Sequence, residues 1–194
     1  ASEWTGTDGN PERVTTVYHH GSYSMKIDAT EDVYKSLSSS YSIIHVRAYV
    51  YFDSLPTSNA YEIFLIQIGD ADNWAYKTSA TVYNDNGVVY FRLRDGGRGN
   101  VLTDVQVQTG TWYCVELKRS TTSGINSVLY INGVEEASQT YGFYDADKVV
   151  IGGSNSLNKI VYFDCIVIAD TYIGPEVSYG GGLNPVQMAK IILS

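Results

Sequence analysis

The chain has 194 residues, 44% of them hydrophobic and only 18% charged, with a formal net charge of −8. That length and apolar content fill one domain core, and an all-β sandwich can use the whole of it. An acidic chain with no basic stripe repels phosphate backbones, and no apolar run is long enough to span a bilayer, so nucleic acid and membrane insertion are excluded as expectations.

The opening Ala1-Ser2-Glu3 looks like the start of a mature secreted protein or of an excised domain, so an extracellular location, secreted or surface-attached, is expected. Residues 1–13 look irregular, punctuated by Gly6, Gly9 and Pro11, with Trp4 expected to pack back on the body of the domain. Val14 to Tyr18 is a short strand candidate and His19-His20-Gly21 a turn. Tyr23 to Asp28 alternates, and Tyr34 and Leu37 are the anchors of a Ser-rich stretch over 29–42.

Ile43 to Phe52 predicts a long strand, with Val46, Ala48, Val50 and Phe52 on one face and Arg47, Tyr49 and Tyr51 on the other. Ile63 to Ile68, apolar except for Gln67, reads as a central strand. Trp74 to Tyr83 predicts another, and Asn84-Asp85-Asn86-Gly87 a hairpin turn. In the returning strand Val89, Phe91 and Leu93 oppose Tyr90, Arg92 and Arg94. Asp95 to Asn100 is expected to be a loop, and Val101 to Gln108 alternates loosely.

Residues 111–138 carry the clearest local signals. Tyr113, Val115 and Leu117 alternate with Cys114, Glu116 and Lys118, as in a half-buried strand. A polar loop follows, then Val128 to Ile131 closed by Asn132-Gly133, a strong hairpin turn. Lys148 to Ile151 and Ile160 to Ala169 complete the strands. Cys114 and Cys165 both fall in apolar strands, where either two buried thiols or a disulfide is compatible with sequence, thiols being favoured. From Tyr179 the composition changes, so 1–178 are expected to form the sandwich and 179–194 a Gly-rich joint, Gly180-Gly181-Gly182, plus a short apolar segment that docks on the sandwich, contacts a neighbouring subunit or continues into another domain. Asn184-Pro185 could cap a short helix carrying Val186, Met188, Ala189, Ile192 and Leu193, available for self-association or for a neighbouring domain.

Many short strands joined by Gly/Asn turns predict a sandwich or barrel. The run from Trp112 through Leu129-Tyr130-Ile131-Asn132-Gly133-Val134 resembles the hairpin of concanavalin A-like and laminin G-like jelly rolls. His20 to Ile27, H-G-S-Y-S-M-K-I, resembles the "G-x-Y-S-L-K" strand near the start of carbohydrate-active members. The resemblance implies an all-β, antiparallel two-sheet jelly-roll sandwich over the body of the chain.

Such folds host glucanases, lyases and lectins alike. The glucanase spacing E-x-D-x-x-E does not occur. The alginate lyase motifs are only echoed, by Val46-Arg47-Ala48-Tyr49 and by Gln67-Ile68-Gly69, with Gly69 where the family has its His. The expectation is therefore a non-catalytic carbohydrate-binding module recognising a polysaccharide. Arg47, Tyr49 and Tyr51 would join Tyr90, Arg92, Arg94, Gln67, Trp74 and Tyr76 in one concave groove of aromatic platforms and guanidinium forks. The rival expectations are an assembly protein using the sandwich as scaffold, and a divergent polysaccharide lyase. The resemblance also implies a structural Ca²⁺ held by Asp164 in Val161-Tyr162-Phe163-Asp164, by the Gly21 carbonyl and by Glu3; the alternative is that Asp164 only accepts hydrogen bonds.

Overall fold

A computed structural model describes residues 4–28, 30–96, 99–122, 124, 126–140, 144–153 and 159–176, and the backbone of 189–192. In chain order the strands are β1 (Gly6–Asp8), β2 (Glu12–Val14), β3 (Ser24–Asp28), β4 (Asp32–Tyr41), β5 (Ile43–Phe52), β6 (Glu62–Gly69), β7 (Thr78–Asp85) and β8 (Val88–Asp95). They continue as β9 (Gly99–Gln106), β10 (Trp112–Ser120), β11 (Ser127–Ile131), β12 (Val134–Gln139), β13 (Ala146–Gly152), β14 (Ile160–Ala169) and β15 (Ala189–Ile192). One 3₁₀ turn, Trp74–Tyr76, precedes β7.

Two sheets stack. One has seven strands in the order β1-β4-β13-β6-β7-β8-β9, and the other runs β12-β11-β10-β5-β14-β3-β2 with β15 added beside β14. Among the described residues every pairing is antiparallel except β14 with β15. The inward residues read from the alternation meet between the sheets: Val46, Ala48, Val50 and Phe52 of β5, Val89, Phe91 and Leu93 of β8, and Tyr113, Val115 and Leu117 of β10 share one core. Trp4 packs against its margin, as expected. At roughly 25 cal/mol per Å² of apolar area, burial of these side chains is the main force holding the sheets face to face.

Five local readings change. Residues 1–13, read as irregular, contain the short strands Gly6–Asp8 and Glu12–Val14. The strand candidate Val14 to Tyr18 reaches only Val14. Trp74 to Tyr76 is the 3₁₀ turn and the strand starts only at Thr78. Asn100, read as loop, lies in β9. Ala189 to Ile192 is a strand and not part of a helix. The reason is an open edge: β3 pairs Ile160 to Phe163 of β14, leaving Ile166 to Ala169 without a neighbour on that side, and β15 fills the gap. Val186, Met188 and Leu193, and the Gly180-Gly181-Gly182 joint, lie outside the described residues.

Candidate functional site

The two Arg/Tyr rows do not meet. β5 belongs to the eight-stranded sheet and β8 to the seven-stranded one, and each row faces away from the shared core. The single groove expected from sequence is therefore corrected to two outer faces on opposite walls.

On the eight-stranded sheet the row from β5 is covered. Arg47 and Tyr49 are only 6% and 7% exposed. The Arg47 guanidinium donates to the Gly174 carbonyl (3.2 Å), the Cys165 carbonyl (3.1 Å) and Glu176 Oε1 (3.4 Å). The His19 ring stacks on Tyr49 with centroids 3.8 Å apart, and the Tyr49 hydroxyl accepts the Glu176 N–H at 2.9 Å. Burial pushes this phenol up to about 12. Tyr51, half-buried, leans on Trp112 and Tyr162, at 5.4 and 5.8 Å between centroids. Arg47 and Tyr49 are thus braces between β5 and the segments at 17–21 and 170–176, with no free face for a sugar.

The expected calcium ligand Asp164 lies under the same cover. Its Oδ2 accepts the N–H groups of His19 (2.8 Å) and His20 (3.0 Å), and Oδ1 accepts that of Cys165 (2.7 Å). Three donors converging on one buried carboxylate supply the positive field that a hard cation would otherwise supply. This geometry favours the hydrogen-bonded alternative for Asp164. Gly21 sits in an exposed turn at φ +70, and Glu3 lies outside the described residues.

Cys114 and Cys165 are free, buried thiols packed with Tyr49. Burial raises Cys114 to about 11 and raises Cys165 further still. The nucleophile is the thiolate, so DTNB at neutral pH should find no fast-reacting thiol in the folded protein and both after denaturation. Rapid native labelling would show that the cover over this face opens readily.

The outward face of the seven-stranded sheet is different. On β8, Tyr90, Arg92 and Arg94 project between neighbours on β7 and β9. Arg92 and Arg94 both pair with Glu62 of β6, whose side chain is 4% exposed while that of Arg94 stays 41% exposed. Arg92 lies over the Tyr83 ring (4.1 Å to the centroid) and Arg94 over Phe64 (5.3 Å). The Trp74 ring is approached by Lys77 (5.3 Å) and Lys148 (5.0 Å). Burial, then the neighbouring Arg94, lowers Arg92 to about 10 and lowers the Lys77 ammonium as well. Cations held below their ordinary range gain from an incoming anion.

Gln67 is on this face but donates its amide to the Gly152 carbonyl at 2.9 Å and serves as a strut. Tyr76 turns toward Tyr144, centroids 6.1 Å apart. A Cβ on Gly69 would stand 2.8 Å from the Trp74 ring. The position where the lyase motif has its histidine is therefore roofed by an indole. Glu62, Phe64, Lys77, Tyr83 and Lys148 were missed by sequence reading. Lys148 on β13 could not be placed because β13 reaches β6 across a long chain separation. A hollow of about 560 Å³ lies elsewhere, between Leu55, Pro56, Asn84, Val88 and Val107.

No protein-family profile and no curated protein matches this sequence. Among solved structures, the cellulose-induced protein Cip1 aligns over 89% of both chains with a TM-score of 0.65 and 20% identity. Alginate lyase AlgAT5 of polysaccharide lyase family 7 aligns over 79% of this chain and 82% of its own, with a TM-score of 0.54 and 14% identity. A botulinum neurotoxin type C structure, described as dependent on two ganglioside molecules for cell entry, aligns over 83% of this chain and 41% of its own, with a TM-score of 0.53 and 10% identity. This chain thus spans under half of that toxin chain. Identities this low establish the fold alone. With its own two sheets and these neighbours, the chain has the fold of an antiparallel two-sheet jelly-roll sandwich.

Proposed function

We propose that the domain is a non-catalytic, extracellular carbohydrate-binding module and that its ligand is an acidic polysaccharide. The observation that carries this reading is the patch on the seven-stranded sheet where Arg92, Arg94, Lys77 and Lys148 gather among Trp74, Phe64 and Tyr83. Rings cover the C–H face of a pyranose, and an exposed guanidinium can clasp a uronate bidentately. Four cations on one face of a chain of net charge −8 point to a carboxylated glycan in preference to a neutral one. The neighbours named for alginate lysis and ganglioside dependence support glycan contact as a general use of this fold. The assembly reading has less support, because the described part of the tail docks on β14 of its own chain.

Affinity electrophoresis through alginate and through a neutral β-glucan tests the proposal. Alginate should retard the protein, and more weakly as salt is raised. Arg94→Ala, which leaves the Arg92–Glu62 pair in place, and Trp74→Ala should each weaken retardation about tenfold or more, the loss of one charge-assisted fork or one platform. Tyr51→Ala on the opposite wall should leave it unchanged. Retardation of the Arg94 and Trp74 variants equal to that of the parent protein, or none for the parent, rejects this face as the binding site.

A further inference from the structure

On the opposite wall, independent of the glycan reading, three groups with soft or borderline donor atoms converge with one carboxylate. One ligand atom from each of His19, His20, Cys165 and Glu176 lies within 4.8 Å of all the others. They come from two stretches far apart in sequence, 19–20 and 165–176, and each residue is pinned by a backbone hydrogen bond. His19 and His20 are held by their N–H groups on Asp164 Oδ2, Cys165 by its N–H on Asp164 Oδ1, and Glu176 by its N–H on the Tyr49 hydroxyl. From these contacts we infer that His19, His20, Cys165 and Glu176 form a binding site for a divalent transition ion of the zinc class.

The donor set suits that class. Two imidazoles, a thiol and a carboxylate are ligands that zinc takes in tetrahedral sites, whereas calcium and magnesium ask for oxygen alone. At bond lengths of about 2.0–2.3 Å the donors of a tetrahedral site stand roughly 3.3–3.8 Å apart, so closing this cluster needs about 1 Å of side-chain movement. His19 Nδ1 already stands 3.9 Å from Glu176 Oε2, and His20 Nδ1 contacts the same oxygen directly.

Two further observations go beyond a simple His–Glu pair. His19 Nδ1 is buried and has no hydrogen-bond partner among the described residues. Cys165 sits at φ +50, a left-handed conformation that a non-glycine residue adopts at a cost, at the irregularity where β14 steps its register against β5 between Asp164 and Val167. The arrangement around the ligands is also that of an outer shell. Arg47 binds Glu176 Oε1 and leaves Oε2 to the cluster, while Tyr49 stacks under His19. The charges of Asp164, Glu176 and Arg47 leave one net negative charge, and a divalent ion that displaces the thiol proton brings the group to neutrality. The histidine and Glu176 side chains are 16–35% exposed, which leaves a route for the ion from solvent.

Cobalt(II) reads the site directly. Titrated into chelator-treated protein, it should saturate at one equivalent, give the intense visible bands of a tetrahedral ion and add a thiolate-to-cobalt band in the near ultraviolet. Zinc should bleach all of them and raise the melting temperature by several degrees. Cys165→Ser should remove the thiolate band, whereas Cys114→Ser, in the same buried cluster, should keep it. His20→Gln changes a partly exposed side chain, should leave the fold intact, and should weaken cobalt binding about tenfold or more. Absence of the near-ultraviolet band in the parent protein, its survival in Cys165→Ser, or unaltered affinity in His20→Gln would reduce the cluster to an ion pair beside a buried thiol.

Discussion

Replacing Arg119 with alanine will destabilise the protein by about 3–5 kcal/mol, the range for breaking a buried, hydrogen-bonded charge. Arg119 follows Leu117 on the inward face of β10 and is 2% exposed, one of the largest side chains fully inside the molecule. Its guanidinium donates to the Ile68 carbonyl of β6 (3.2 Å), the Tyr76 carbonyl of the 3₁₀ turn (2.7 Å) and the Tyr144 carbonyl (2.9 Å). One planar fork thus joins the eight-stranded sheet to the seven-stranded one and anchors the turn that carries Trp74. Burial lowers its pKa to about 10, with Asp95, Asp70 and Asp145 opposing that shift, so it stays charged at neutral pH. Truncation takes this donor from three carbonyls and opens a void, and both effects cost. Lysine will not rescue, because an ammonium is a point donor and cannot serve three divergent carbonyls from one plane. Urea denaturation gives the measurement, and a loss below about 1 kcal/mol would show that solvent or neighbouring groups replace the fork.

Glu116→Ala will cost about as much, roughly 3–4 kcal/mol, and will also loosen the cover of the other wall. This carboxylate is 1% exposed. Oε1 contacts His45 Nδ1 at 2.7 Å and accepts the Ile173 N–H at 3.1 Å, while Oε2 accepts the Gly174 N–H at 2.8 Å. It holds the 170–176 segment on the sheet, and with it the Gly174 carbonyl and Glu176 that brace Arg47. Hydrogen exchange at the Ile173, Gly174 and Glu176 amides should accelerate well beyond the global change, since local opening follows loss of a local tether. Glu116→Gln keeps an acceptor and should fall between. Unchanged protection at these amides would place the tether on Arg47 and Tyr49.

Ile43 to Phe52 and Ile160 to Ala169 are strands with the bounds their sequence predicts. The alternation of β5, β8 and β10 likewise assigns their inward faces correctly. Period-two patterning and Asn-Gly turns are local quantities, set by a residue and its near neighbours, and they are legible one strand at a time. The Trp74 turn escaped because its three residues, each acceptable in a strand, are shaped by packing on Gly69 and by Arg119. Arg47 and Tyr49 looked like exposed platforms, since polar residues alternating with apolar ones ordinarily face water. They are buried because a segment some 120 residues later folds over them.

The sites divide along the same line. Residue types and strand faces, and the sandwich they imply, follow from the chain read locally. Which wall each Arg/Tyr row joins depends on strand pairing: β5 hydrogen-bonds β10 and β14, whereas β8 lies between β7 and β9. His19-His20 reads as an ordinary turn until Asp164, about 145 residues away, takes both of its N–H groups and brings Cys165 alongside. Contacts at that separation depend on sheet order and core packing between distant segments, which no short window of sequence contains.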